Sequence, residues 1–197
     1  MGTDGLQVND SSNDELDLDM PNSMRARHRR AALKAAAAAA ATVVASGCAA
    51  VNWILNDGVG HPMSPEQAKV QVVEAARDIV TTLNLPVLDV VFWRSGCKDG
   101  GGSPFRARIR IAYPRAVDFA ASDDEIAKMT HDLQKHGWTI DSTFSTHGTP
   151  LSKGGVVANF WPQSVSPPTR SLELLGECRD VTTTKETKGN TEHITLG

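Results

Sequence analysis

Arg106, Arg108 and Arg110 alternate with apolar residues, so on a β-strand their three guanidinium groups leave one face at intervals of about 6.7 Å. Such a row offers forked donors matched to phosphate or carboxylate and is a candidate anion-binding site. The plainer role is a solvated face whose charges meet Glu173, Glu177 or Asp141 on neighbouring strands. Ser95-Gly96-Cys97-Lys98 has the Ser-x-x-Lys spacing of penicillin-recognising enzymes. That chemistry needs the pair at the start of a helix with Ser-Asp-Asn and Lys-Thr-Gly companions, which residues 48–197 lack. His131 and His136 stand five apart, a spacing that a helix turns to different faces, away from a shared metal. No His-Glu-x-x-His, Cys-x-x-Cys or Gly-x-Ser-x-Gly occurs. No catalytic residue, metal ligand or cofactor is assigned, and the reading leans away from an enzyme. Trp93, Trp138 and Trp161 are expected to serve the core rather than a stacking platform.

The cysteines carry the strongest signal. Cys48 follows Ala45, Ser46 and Gly47 at the end of an apolar run, residues 35–44, which Arg25, Arg27, Arg29 and Arg30 precede. Basic, apolar and small segments in that order form a secretory signal. The apolar run is too short for a hydrocarbon core that needs about 20 residues, so a permanent transmembrane helix is not expected. Val44-Ala45-Ser46-Gly47-Cys48 resembles the lipobox, whose cysteine thiol takes diacylglycerol and becomes the first residue of the mature protein. Acyl chains of the palmitate type contribute about 0.8 kcal/mol per buried methylene, enough with two chains to hold a soluble domain on a membrane. The expected location is therefore the extracytoplasmic face of the cell membrane. Residues 1–23 carry Asp4, Asp10, Asp14, Glu15, Asp17 and Asp19 without Lys or Arg, the opposite of a signal's start. Translation is expected to begin at Met24 or Met20, which makes residues 1–23 an acidic extension outside the product.

These boundaries define the segments: signal 24–47, lipid-anchored tether 48–63, one globular domain 64–178 and a polar mobile tail 179–197. Of 20 basic residues five precede Cys48, and of 23 acidic residues six do, which leaves 15 against 17 and a net charge of −2. Near-balance argues against nucleic acid as a partner. Cys97 and Cys178 are the two remaining cysteines, the number one disulfide needs in an oxidising compartment.

The domain opens at Ser64-Pro65-Glu66-Gln67, a capping box with proline at the first helical position. Val72, Ala76, Ile79 and Leu83 then recur at helical spacing up to the stop at Pro86. Strands are expected over residues 87–95 and 105–113, joined by a glycine-rich hairpin loop. A second helix is expected from Ser122, with Glu125 completing its capping box and Gly137 ending it. Three strands should follow over residues 138–145, 156–161 and 170–178. The order α-β-β-α-β-β-β is α+β: a single antiparallel β-sheet of about five strands with two helices packed on one face.

His61-Pro62-Met63-Ser64-Pro65-Glu66-Gln67-Ala68, Arg77-Asp78-Ile79-Val80, the strand end at residues 92–97, His136-Gly137-Trp138 and Gly176-Glu177-Cys178-Arg179 together give a family likeness. The chain resembles the small mycobacterial lipoproteins typified by LppJ over most of residues 48–197. That resemblance implies an actinobacterial cell envelope and lipid anchorage, agrees with pairing of Cys97 and Cys178, and carries over no catalytic residue. The leading expectation is a non-enzymatic lipoprotein whose domain binds an envelope protein, lipid or glycan. The alternatives are an extracytoplasmic enzyme with a site too dispersed to form a motif, and a structural subunit of an envelope complex, which should expose a large apolar patch.

Overall fold

The computed structural model describes residue 56 and residues 58–196. The acidic extension, the signal, the lipobox residues Ala45, Ser46, Gly47 and Cys48, and half of the expected tether lie outside the described residues.

Helix α1 spans Pro65–Leu83. Ser64 caps it as the sequence predicts: the Gln67 amide donates to Ser64 Oγ at 3.2 Å, and the Gln67 side chain accepts from the Ser64 amide at 2.8 Å. Its buried stripe is Ala68, Val72, Ala76 and Ile79, the i, i+4 spacing that faces a core. Strands β1 (Asp89–Gly96) and β2 (Phe105–Tyr113) form the expected antiparallel hairpin. Helix α2 runs Phe119–Lys135 and begins three residues before the expected start. Asp118, not Ser122, is its cap, accepting from the Ala121 amide at 2.7 Å. Ser122 lies fully buried inside the helix. The sequence Ser-x-x-Glu misleads because Asp118 is an equally good cap one turn earlier.

Beyond α2 come β3 (Thr139–Ile140), β4 (Thr149–Lys153), β5 (Val156–Phe160), β6 (Arg170–Leu175) and β7 (Glu192–His193). All pair antiparallel in one seven-stranded sheet of order β3-β4-β5-β6-β2-β1-β7. Three local expectations are corrected here. The strand expected over residues 138–145 is reduced to β3, because Asp141 turns the chain by accepting from the Thr143 and Phe144 amides. The unexpected β4 reaches β5 through Gly154 and Gly155, both at positive φ, the backbone that a two-residue hairpin requires. The tail is pinned rather than loose. Asp180, almost wholly buried, exchanges backbone hydrogen bonds with Phe105, and its carboxylate accepts from Thr182 and Thr183. Residues 192–196 then return to add β7 beside β1 and bury Leu196, whose carbonyl accepts from Arg77 Nε at 2.7 Å.

The core lies between the helices and one sheet face. Phe105, Ala107, Ile109, Ile111 and Tyr113 alternate inward along β2, and the last four share one core cluster with Phe92, Leu172, Leu174, Ala158, Phe160 and Leu151 of the other strands. Helix α1 packs on β2, β5 and β6, and α2 on β4 and α1. The opposite face carries no helix among the described residues. Both edge strands, β3 and β7, are two residues long and pair with only part of β4 and of β1.

Candidate functional site

The helix-free face presents the side chains that alternate with the core. Cross-strand register lines up Trp93, Arg108, Leu175 and Val157 in one row, and Val91, Arg110, Glu173 and Asn159 in the next. All three arginines of the sequence-derived row stand here, each in a different setting. Arg108 Nη2 forms an ion pair with Glu173, while its guanidinium lies 5.1 Å from the Trp93 ring centre. Arg110 is exposed, sits 5.6 Å from the same ring and makes no ion pair among the described residues. Arg106 is half-buried and donates from Nε to Cys97 Sγ at 3.1 Å. Burial, and then the neighbouring charge of Arg108, hold its pKa below the ordinary arginine value. The row therefore divides into one paired charge, one free charge and one cation laid over the disulfide.

That disulfide joins Cys97 to Cys178, with the Cα atoms 6.1 Å apart across a sequence separation of 81. It ties the end of β1 to the chain just past β6.

Between β5, β6 and the segment 141–148 the same face sinks into a cleft of about 310 Å³, lined by Arg108, Glu173, Asn159, Trp161, Phe144 and His147 among others. Asp141 organises this segment. Its Oδ1 accepts from the Thr143 hydroxyl and from the Thr143 and Phe144 amides, and the Thr143 hydroxyl leads in lowering its pKa. Thr146 Oγ1 accepts from the Gly148 amide at 3.2 Å. Gly148 then lies so close to β5 that a Cβ there would stand 2.5 Å from Asn159 Oδ1, a position only glycine fills without displacement. Asn159 is 1 % exposed, yet its Oδ1 finds no hydrogen-bond partner among the described residues, and the same holds for the buried Arg108 Nε. Orphaned polar atoms of this kind are uncommon in folded proteins and mark a place that a further group can satisfy.

The tryptophans divide in the same way. Trp138 is core, 1 % exposed, with Nε1 donating to Asp78 Oδ2 at 3.0 Å. Burial pushes the Asp78 pKa up, but the hydrogen bonds from Lys153 and Trp138 outweigh it, so the carboxyl is held below its ordinary value. Trp93 and Trp161, expected in the core, instead stand half-buried on the open face. A strand's period of two separates core from open face only if the register is known, and Trp161, directly after core-facing Phe160, falls on the open face by that alternation. Ser95 lies on β1 opposite Arg106, with Lys98 in the loop beyond. His136 Nδ1 contacts the Asp132 carbonyl at 2.9 Å. Among the described residues no three His, Cys, Asp or Glu side chains gather in an arrangement suited to a metal ion, and no helix is long and apolar enough to cross a membrane.

A disulfide-braced antiparallel sheet, helix-covered on one face and bearing a polar-aromatic cleft on the other, defines a small α+β domain. The family model described as "Putative lipoprotein LppJ" matches residues 64–197, and the chain belongs to that lipoprotein family. Proteins named "Putative lipoprotein LppJ" from Mycobacterium tuberculosis strains CDC 1551 / Oshkosh and ATCC 25618 / H37Rv and from Mycobacterium bovis are each 31% identical over 177 residues, covering 83% of this chain and 90% of theirs. No solved structure matches.

Proposed function

We propose that the protein is a lipid-anchored component of the cell envelope, held at the extracytoplasmic face of the cell membrane by diacylated Cys48, whose domain binds a partner through its helix-free sheet face. The observation that carries the binding reading is the cleft at Arg108, Glu173 and Asn159, where two buried polar atoms lack partners among the described residues. Here, unlike at the core atoms Tyr113 Oη and Ser122 Oγ, the unsatisfied groups belong to residues that line a cleft, where a ligand can supply the missing partner. Anchoring is supported by the order of basic, apolar and small residues before Cys48 and by membership of a lipoprotein family. In this reading the domain is a non-enzymatic binding module. Arg110 adds an exposed positive charge to the same sheet face, and the near-neutral balance of residues 48–197 disfavours nucleic acid.

Mass spectrometry of the protein from native membranes, before and after reduction, compared with a Cys48→Ala variant, tests the anchor. The wild type should begin at Cys48 with added acyl mass, sediment with membranes and gain two protons on reduction. The variant should lose both acyl mass and sedimentation. A wild-type protein that keeps residues before Cys48 and stays in the soluble fraction overturns the anchoring.

A further inference from the structure

We propose that the open-face cleft takes a single uncharged sugar residue of a polysaccharide, a conclusion that rests on the binding reading above and names its ligand class. Charge comes first. Arg108 and Glu173 pair across adjacent strands and both line the cleft, so an anion entering it meets the Glu173 carboxylate and a cation meets the Arg108 guanidinium. A neutral ligand with hydroxyl groups meets neither penalty and exchanges hydrogen bonds with both groups.

The polar groups fit that chemistry in kind. Guanidinium, carboxylate and carboxamide are planar and offer neighbouring donors or acceptors, the pattern that adjacent hydroxyls on a sugar ring complement. The unpartnered atoms are one donor, Arg108 Nε, and one acceptor, Asn159 Oδ1. A hydroxyl is both donor and acceptor and can answer either atom. Both residues line the cleft while the two atoms themselves are buried, Asn159 Oδ1 against Gly148, so the ligand meets them when segment 141–148 moves outward. That segment projects from the sheet with Ser145 and His147 exposed.

The apolar groups fit as well. Trp161 and Phe144 border the same cleft, and an aromatic face suits the C–H side of a sugar ring while the ring's hydroxyls turn to the polar wall. The volume of about 310 Å³ stands at the lower end of the range for small-molecule sites. It suits one ring, with the rest of a polymer continuing into solvent.

The full-length protein in detergent micelles is titrated with the methyl glycosides of glucose, mannose, galactose and arabinose and with N-acetylglucosamine, and in parallel with inorganic phosphate. The signals read by NMR are the Trp161 indole N–H and the Asn159 side-chain amide. At least one glycoside should shift both saturably. Glu173→Gln, which keeps the shape of the wall, and Trp161→Ala, read at Asn159, should each weaken that binding tenfold or more while the remaining spectrum stays that of the folded wild type. Shifts caused by phosphate alone, strengthened by Glu173→Gln, overturn the sugar assignment and leave the binding reading in place as an anion site. Binding of the Cys48→Ala variant to phosphatidylglycerol vesicles that perturbs the same signals overturns it in favour of a lipid surface. Absence of any shift with all these probes overturns the cleft as a binding site, while the membrane partition of the wild type independently decides the anchor.

Discussion

Tyr113 shows what a single side chain discloses about this core. It is 1 % exposed, its hydroxyl has no hydrogen-bond partner among the described residues, and the Arg170 guanidinium lies 4.7 Å from its ring centre. Burial pushes its pKa from 10.0 up to about 12. Since the unfolded chain ionises the phenol first, stability is unaffected below pH 10 and falls as pH rises from 10 towards 12. The loss is roughly 2 to 3 kcal/mol. Tyr113 is the chain's one tyrosine, so phenolate absorbance reads it alone: it should appear only near pH 12 or together with loss of the fold. Titration near pH 10 with the fold intact would contradict the burial. Tyr113→Phe, which deletes an unpartnered hydroxyl, should leave stability unchanged or raise it by about 1 kcal/mol in urea denaturation. At this scale the sequence discloses types but not settings. The spacing of Arg106, Arg108 and Arg110 is plain in the chain and Glu173 is among its expected partners, whereas which arginine Glu173 meets, and the placing of Arg106 beside the Cys97 sulfur, depend on strand register.

Among the elements, α2 gives the cleanest contrast between a motif and the structure that overrides it. Asp118→Ala removes the side chain that accepts from the Ala121 amide and should cost about 1 kcal/mol of unfolding free energy. Ser122→Ala would cost as much if Ser122 were the cap. Because its Oγ is buried without a partner, the change should be neutral or stabilising in the same denaturation experiment. Equal losses at the two positions would refute the assignment. The helices and the β1–β2 hairpin were legible because their periods are long and their stop signals strong. β4 was not: Thr149-Pro150-Leu151-Ser152-Lys153 holds one large apolar residue and a proline, and only the Gly154-Gly155 turn hints that a strand must precede β5. β7 was hidden for a related reason. Two residues paired to β1, followed by Ile194 and Leu196, carry too little period to be seen, and their burial is decided by a partner strand about a hundred residues earlier in the chain. The cleft leaves no sequence signal because its lining comes from β2, β5 and β6 and from segment 144–147, part of which has strand-like composition.

Across the whole molecule the bond between Cys97 and Cys178 closes a loop of sequence separation 81 that contains β2 to β6. Replacing both cysteines by alanine should lower unfolding free energy by about 4 to 5 kcal/mol in the chain-entropy account. Comparison of urea midpoints for wild type, reduced wild type and double variant checks this, and an unchanged midpoint would show that the loop is constrained without the bond. The corner that this bond secures is also where the chain enters the domain. The Met63 amide donates to the Arg179 carbonyl at 2.8 Å, and Arg179 Nε donates to the His61 carbonyl. Arg179 is the residue next to Cys178. Tension applied to the chain before His61 is therefore passed within one residue to a covalent cross-link, and from there into the ends of β1 and β6.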